Sequence, residues 1–166
     1  MYELKNLSTE AIPAALAKVE RYRLLNEPEQ AESICQDILA LEPENQPALI
    51  AMILAVTEQF VEGPTERVSD AQALLPRLHR EYDRVYFAGI ICERRGRALL
   101  ARRSPGAGFV AYDWFREAMT WFEKAEGMKR PGNDEAVLRW NSCARFLNNH
   151  PQLAPTPGEG KQPQME

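Results

Sequence analysis

The sequence predicts an all-α fold, a run of about seven antiparallel helices laid one after another. Two patterns carry that expectation. Apolar residues recur at three- and four-residue spacing along nearly the whole chain, and no strand-like alternation interrupts them. Proline and glycine cut this pattern into helix-length pieces joined by short loops. The composition agrees: 166 residues, 45% hydrophobic and 27% charged, suit one globular domain with a core of its own.

The first helix is expected to be capped by Ser8 or Thr9, with Pro13 early enough to be tolerated. Its stripe holds Ile12, Ala15, Leu16, Val19, Tyr22 and Leu25, and "NEP" at 26–28 breaks it. The second carries Ala31, Ile34, Cys35, Ile38 and Leu41 on one face and stops at "EPENQP". The third holds Leu49, Met52, Ile53, Val56 and Phe60, and "EGPTE" turns the chain. The fourth runs over Val68, Ala71, Leu74, Leu75 and Leu78, with Pro76 expected to kink it or end its regular part. A fifth starts near Tyr82 and extends towards Arg103, where "SPGAG" stops it. Val85, Ala88, Gly89, Cys92, Gly96 and Leu99 form its expected buried side. The sixth, from about Phe109 to Met128, has two apolar stripes, Trp114–Ala118–Trp121–Ala125 and Phe115–Met119–Phe122. A helix apolar on two faces is normally sandwiched between neighbours, so its aromatics read as core, with Trp140 packed against them. The seventh is "EAVLRWNSCARFLNN", with Asp134 as its cap. Residues 1–150 thus form the helical domain. Residues 151–166, rich in Pro and Gly and poor in apolar groups, are expected to be a disordered tail.

Charge and cysteine content narrow the function classes. The net charge of −4 gives no global attraction to nucleic acid or anionic lipid. The charge is uneven, though: residues 1–63 hold 11 acids against 4 bases, and residues 64–130 hold 9 acids against 13 bases. Cys35, Cys92 and Cys143 are odd in number, far apart, and lie on apolar stripes, which reads as core cysteines in a reducing cytoplasm. There is no signal-peptide pattern, and no apolar run approaches the ~20 residues needed to span a bilayer. No metal site is expected, because His79 and His150 have no Cys or His near them in sequence. No catalytic residue and no cofactor are assigned, since GxSxG, HExxH and Walker patterns are all absent.

Two segments share a spacing. Ala31, Cys35, Ile38 and Pro43 are matched by Ala118, Phe122, Ala125 and Pro131, to within one residue at the proline. A small residue admits a close neighbour helix, a larger one a turn later fills the gap, and a proline closes the helix. The partner helices carry Ala15, Val19 and Tyr22 in one case and Ala88, Gly89, Cys92 and Gly96 in the other. This resembles the tetratricopeptide repeat (TPR), a helix–turn–helix unit of about 34 residues. The resemblance covers residues 9–149, as three helix pairs with a capping seventh helix. Its first unit, 12–45, is close to the family length, 46–80 is degenerate, and 82–133 is too long. A general array of α–α hairpins obeying the same packing rules is the alternative.

The resemblance implies a right-handed superhelix whose groove, lined by the first helix of each pair, grips an extended segment or helix of another protein. The groove positions it implies are Leu16, Glu20, Arg23 and Leu24, then Ile50, Leu54, Thr57 and Glu58, then Tyr86, Ile90 and Arg94. For Leu54 and Ile90 a plain core role stands beside the groove role. Some family members clamp a C-terminal carboxylate with Lys, Arg and Asn. The corresponding places here are Leu16, Glu20, Ala51, Asp83 and Phe87, none a suitable donor, which argues against that mode. The expected partner is therefore a protein or peptide, with a second copy of the chain as an option because end units of an array need covering.

The excess length of the third unit contains "ERRGRALLARRSPGAGF", residues 93–109. Arg95 and Arg102, seven residues apart, nearly stack on one helix side, and with Arg103 they are candidates for an anion site ahead of the Gly106–Gly108 turn. The competing reading is a solvated face whose arginines pair with acids such as Glu93 or Asp113. As a phosphate loop the turn lacks the following Lys and Ser/Thr. RNA or another anionic ligand on this stretch is the alternative function, although nucleic acid is not favoured by the overall charge.

Overall fold

The computed structural model describes residues 1–156. It is all-helical, and no strand occurs among those residues. Seven α-helices follow in order: α1 Ile12–Leu24, α2 Pro28–Leu41, α3 Gln46–Glu58, α4 Arg67–Leu74, α5 Glu81–Ala101, α6 Ala107–Glu126 and α7 Glu135–Asn149. Single 3-10 turns, Thr9–Ala11, Leu75–Arg77 and Pro151–Leu153, sit before α1, after α4 and after α7.

The ends of these helices follow from local chemistry. Pro13, Pro28 and Pro47 each fall in a first turn, where a missing N–H costs nothing. Asn45 caps α3 by accepting from the Ala48 N–H at 2.9 Å. Pro76 ends the regular part of α4, as expected, by diverting the chain into a 3-10 turn. The start of α6 is set by Gly106, whose φ of 73° is a left-handed value that favours glycine. Two expected caps are not used. Neither Ser8 nor Asp134 makes a side-chain capping bond, and the Asp134 carboxylate instead pairs with Lys129 at 2.5 Å.

Each helix packs on the next in sequence, and α1 also touches α3, α3 touches α5, and α4 touches α5. The core therefore runs along the array. Near α1 and α2 it is built of small and aliphatic groups: Ile12, Ala15, Val19, Ala31, Cys35 and Ile38. Around α5 and α6 it becomes aromatic. Gly89 lies against the Phe122 ring, where a Cβ would stand 2.6 Å from the ring edge, and a Cβ on Gly96 would stand 3.1 Å from the Phe115 ring. These two glycines are what lets the longest helices meet closely. The two α6 stripes resolve as packing predicts: Phe115, Ala118, Met119, Phe122 and Ala125 are buried, while Trp114 and Trp121 are half-buried against the same core. Trp140 is fastened to α6 by an Nε1–H bond to Glu123 at 2.8 Å.

Helix α5 departs from the expected register. Every residue from Val85 to Glu93 is buried, because α5 has neighbours on several sides rather than one. Leu99 is half-buried, and Ala98 takes the fully buried place beside it. The chain also stays with the fold past His150. Leu153 is buried, with its Cδ2 near Gly108 at the start of α6, so residues 151–153 pack on the domain expected to end before them. Residues 157–166, the remainder of the expected tail, lie outside the described residues.

A candidate partner-binding face

Helices α1, α3, α5 and α7 bring charged residues from four distant segments into one seam. It begins on α1, where the Arg23 guanidinium donates to Glu58 of α3, Nη2 to Oε1 at 2.7 Å and Nε to Oε1 at 3.1 Å. Both side chains are only 17% exposed, so this ion pair is sheltered. Glu20, more exposed, stands 3.7 Å from Arg23 on the outer side.

Arg94 of α5 comes next. It is half-buried, and among the described residues it makes no hydrogen bond and no ion pair. Its guanidinium pKa is pulled below the ordinary arginine value, chiefly by burial. Glu58 and Glu93 oppose that pull, while Arg139 and Arg23 add to it. Such a group holds five N–H donors without a protein acceptor.

The seam ends at Glu93, which is 1% exposed. Arg97, one turn on, donates to its Oε1 from Nε at 3.1 Å and Nη2 at 3.0 Å. The same guanidinium lies over the rings of Phe115 and Phe146, at 5.5 and 5.1 Å from their centroids. Arg139 of α7 approaches the other oxygen, Oε2, at 3.6 Å, and Oε2 has no hydrogen-bond partner. Burial lowers the Arg139 pKa, but Glu93 and the adjoining Tyr86 more than offset it, so the net direction is upward. Tyr86 is itself held above its usual value by burial. Four guanidinium groups (Arg23, Arg94, Arg97, Arg139) thus face two carboxylates, Glu58 and Glu93.

Beyond the Glu58 end lies a cavity of about 380 Å³ between the α1–α2 turn and the end of α3. Its lining includes Glu27, Glu29, Glu58 and Glu62. The face is therefore polarised, acidic at this end and basic towards α7.

The residues expected to line a groove divide into four groups. Arg23, Glu58 and Arg94 do come together. Leu16, Ile50 and Leu54 are half-buried, whereas Ile90, Thr57 and Tyr86 are buried. For Ile90, at 0% exposure, the core role holds, and it cannot meet a partner. Glu20 and Leu24 are exposed, Leu24 at 85%. The seam also uses Arg139, which no sequence pattern singled out. Its acid lies on another helix, and no short-range spacing links them. The Glu93–Arg97 pair, at the i,i+4 spacing of a helix, was accessible to sequence reasoning.

The basic stretch is arranged differently. Arg102 donates to the carbonyl oxygens of Val61 at 3.1 Å, Phe60 at 2.8 Å and Gly63, closing the C-terminal end of α3 and its loop. Carbonyls at a helix end carry partial negative charge and lack intrahelical donors, so a guanidinium suits them. Arg103 has a φ of 51° and carries the chain reversal after α5. Arg95 is half-buried with its pKa lowered, first by burial and then by Arg102. The three do not form one unoccupied cradle, because Arg102 has its acceptors already.

Among the described residues no three or more His, Cys, Asp or Glu gather in a way that would hold a metal ion, and no helix is long and apolar enough to cross a membrane. His79 stands 3.8 Å from Glu44, and His150 stacks on Phe146 at 4.2 Å with its Nδ1 beside the Phe146 carbonyl at the end of α7. The three cysteines are buried and free, each thiol pushed up to about 12 chiefly by burial, which leaves them protonated and unreactive at neutral pH. No family model, no curated protein and no solved structure matches the chain.

Proposed function

We propose that the protein is a binding or scaffold module, and that the face shared by α1, α3, α5 and α7 receives a peptide or helix of a partner protein. The observation that carries this is the seam itself. Arg23, Glu58 and Arg94 are 35 and 36 positions apart in sequence yet meet in one line, with half-buried Leu16, Ile50 and Leu54 on the same helices. Mixed apolar and charged strips of this kind suit an elongated protein segment better than a small molecule. The proposed role is binding, with no chemical step of the protein's own, and the proposed setting is the cytoplasm. The TPR-like reading of the array belongs to the same proposal: it is supported by the contacts of α1 with α3 and of α3 with α5, which stack alternate helices.

The test is site-specific crosslinking. A photoreactive residue at Leu54 should trap a partner from native lysate, whereas one at Arg130, in the α6–α7 loop, should not. Equal yields from both positions would remove the proposal. Self-association is tested by light scattering across a range of concentrations, where a constant monomer mass would remove that option. An anionic ligand on the basic stretch is the weaker reading, since Arg102 is already engaged with three carbonyl oxygens.

A further inference from the structure

The chemistry of the seam says what the partner segment should carry. Resting on the binding role above, we infer that the segment presents an isolated carboxylate, an Asp or Glu side chain, to Arg94.

Arg23 is satisfied by Glu58, and Arg97 and Arg139 share Glu93. Arg94 is left with its charge uncompensated by any direct contact, in a position where burial already disfavours that charge. A carboxylate brought to it would form a charge-assisted, two-pronged hydrogen bond, the geometry a guanidinium fork is built for. It would also relieve the repulsion from Arg139 and Arg23 that helps to lower the Arg94 pKa. Among the described residues no other helix supplies that carboxylate. Glu58 acts on Arg94 only at a distance, because both its oxygens are turned to Arg23.

The same geometry selects against a polyanion. The cavity that shares Glu58 is lined by three more carboxylates, so negative charge extending past Arg94 towards α2 meets repulsion. One acid at the Arg94 position, with neutral or basic residues on the α2 side, matches both ends of the face. A continuous phosphodiester chain does not.

The experiment is a selection of random peptides displayed on phage against the full chain, followed by titration of the best peptides. Asp or Glu should be enriched at one position. Changing that acid to its amide should weaken binding about tenfold or more, and Arg94→Ala should weaken it as much. The two changes together should be no worse than either alone. Arg130→Ala, a surface control, should bind like the parent, and the thermal melt of Arg94→Ala should match that of the parent. Peptides that bind this face without an acid, or that ignore Arg94→Ala, would overturn this inference and leave the binding role standing. No enriched peptide at all would overturn both. Tighter binding of single-stranded RNA than of any peptide, lost in Arg94→Ala, would overturn the inference in favour of a nucleic-acid partner.

Discussion

Arg94 lies on α5 and Arg102 caps the end of that helix, eight residues and about 80° of rotation further on, and they have opposite fates. Arg102 looks like the freer of the two in sequence, near the end of a basic run and beside a glycine turn. In the fold it is the committed one, with three carbonyl oxygens from the α3–α4 loop. Arg94 is half-buried in the array, surrounded by charge, and among the described residues it has no hydrogen-bond or ion-pair partner. Exposure and availability are thus separate properties. A surface arginine can be spent on the fold, while a half-buried one retains its donors.

If this contrast is right, mutations along the seam should sort by commitment rather than by burial alone. The largest effect is expected at Glu93. Glu93→Ala leaves Arg97 and Arg139 without their shared, fully buried counter-charge and should cost about 3–5 kcal/mol in urea unfolding. A loss under about 1 kcal/mol would mean the two guanidiniums find water instead.

Cys143 offers a pH readout of the same corner. Its thiol is held up to about 12, chiefly by burial and secondly by Glu93. An unfolded thiol ionises near 9, so above that pH the unfolded state loses a proton that the folded state keeps. The stabilising contribution is therefore complete below pH 9 and declines as pH rises towards 12. Between pH 8 and 10 the parent should lose about 1 kcal/mol more than Cys143→Ala does. Parallel pH curves for the two proteins would contradict the assignment.

Smaller effects separate the two arginines directly. Arg102→Ala should cost about 1 kcal/mol and speed amide exchange at the end of α3, because three carbonyls lose a charged donor there. A double-mutant cycle on Arg23 and Glu58 should give a coupling of about 1 kcal/mol, as their pair is sheltered but not sealed. Arg94→Ala should change stability by less than about 0.5 kcal/mol, since it removes no hydrogen bond and no ion pair and relieves a charge that burial disfavours.

Much of the fold was legible in the sequence because its signals are local. Pro28 and Pro47, the "EGPTE" turn and the Gly106 turn mark helix limits, and Gly89 facing Phe122 follows from small-against-large spacing. The register of α5 was only partly legible. A single stripe assumes one neighbour, and α5 has several, which is why Ala98 rather than Leu99 is sealed in. Of the face, Arg23, Glu58 and Arg94 were identified by analogy with repeat proteins. The placing of Arg139 and the commitment of Arg102 depend on contacts spanning 46 and about 40 residues, which no local pattern encodes.

The contrast between Arg94 and Arg102 can be observed in one titration. Arginine Nε–Hε signals would be followed by NMR as a selected acid-bearing peptide is added to the full chain. The expected result is that the Arg94 signal shifts and slows in solvent exchange while Arg102 stays where it was. Movement of Arg95, Arg102 and Arg103 with Arg94 unchanged would place binding on the basic stretch and contradict the account.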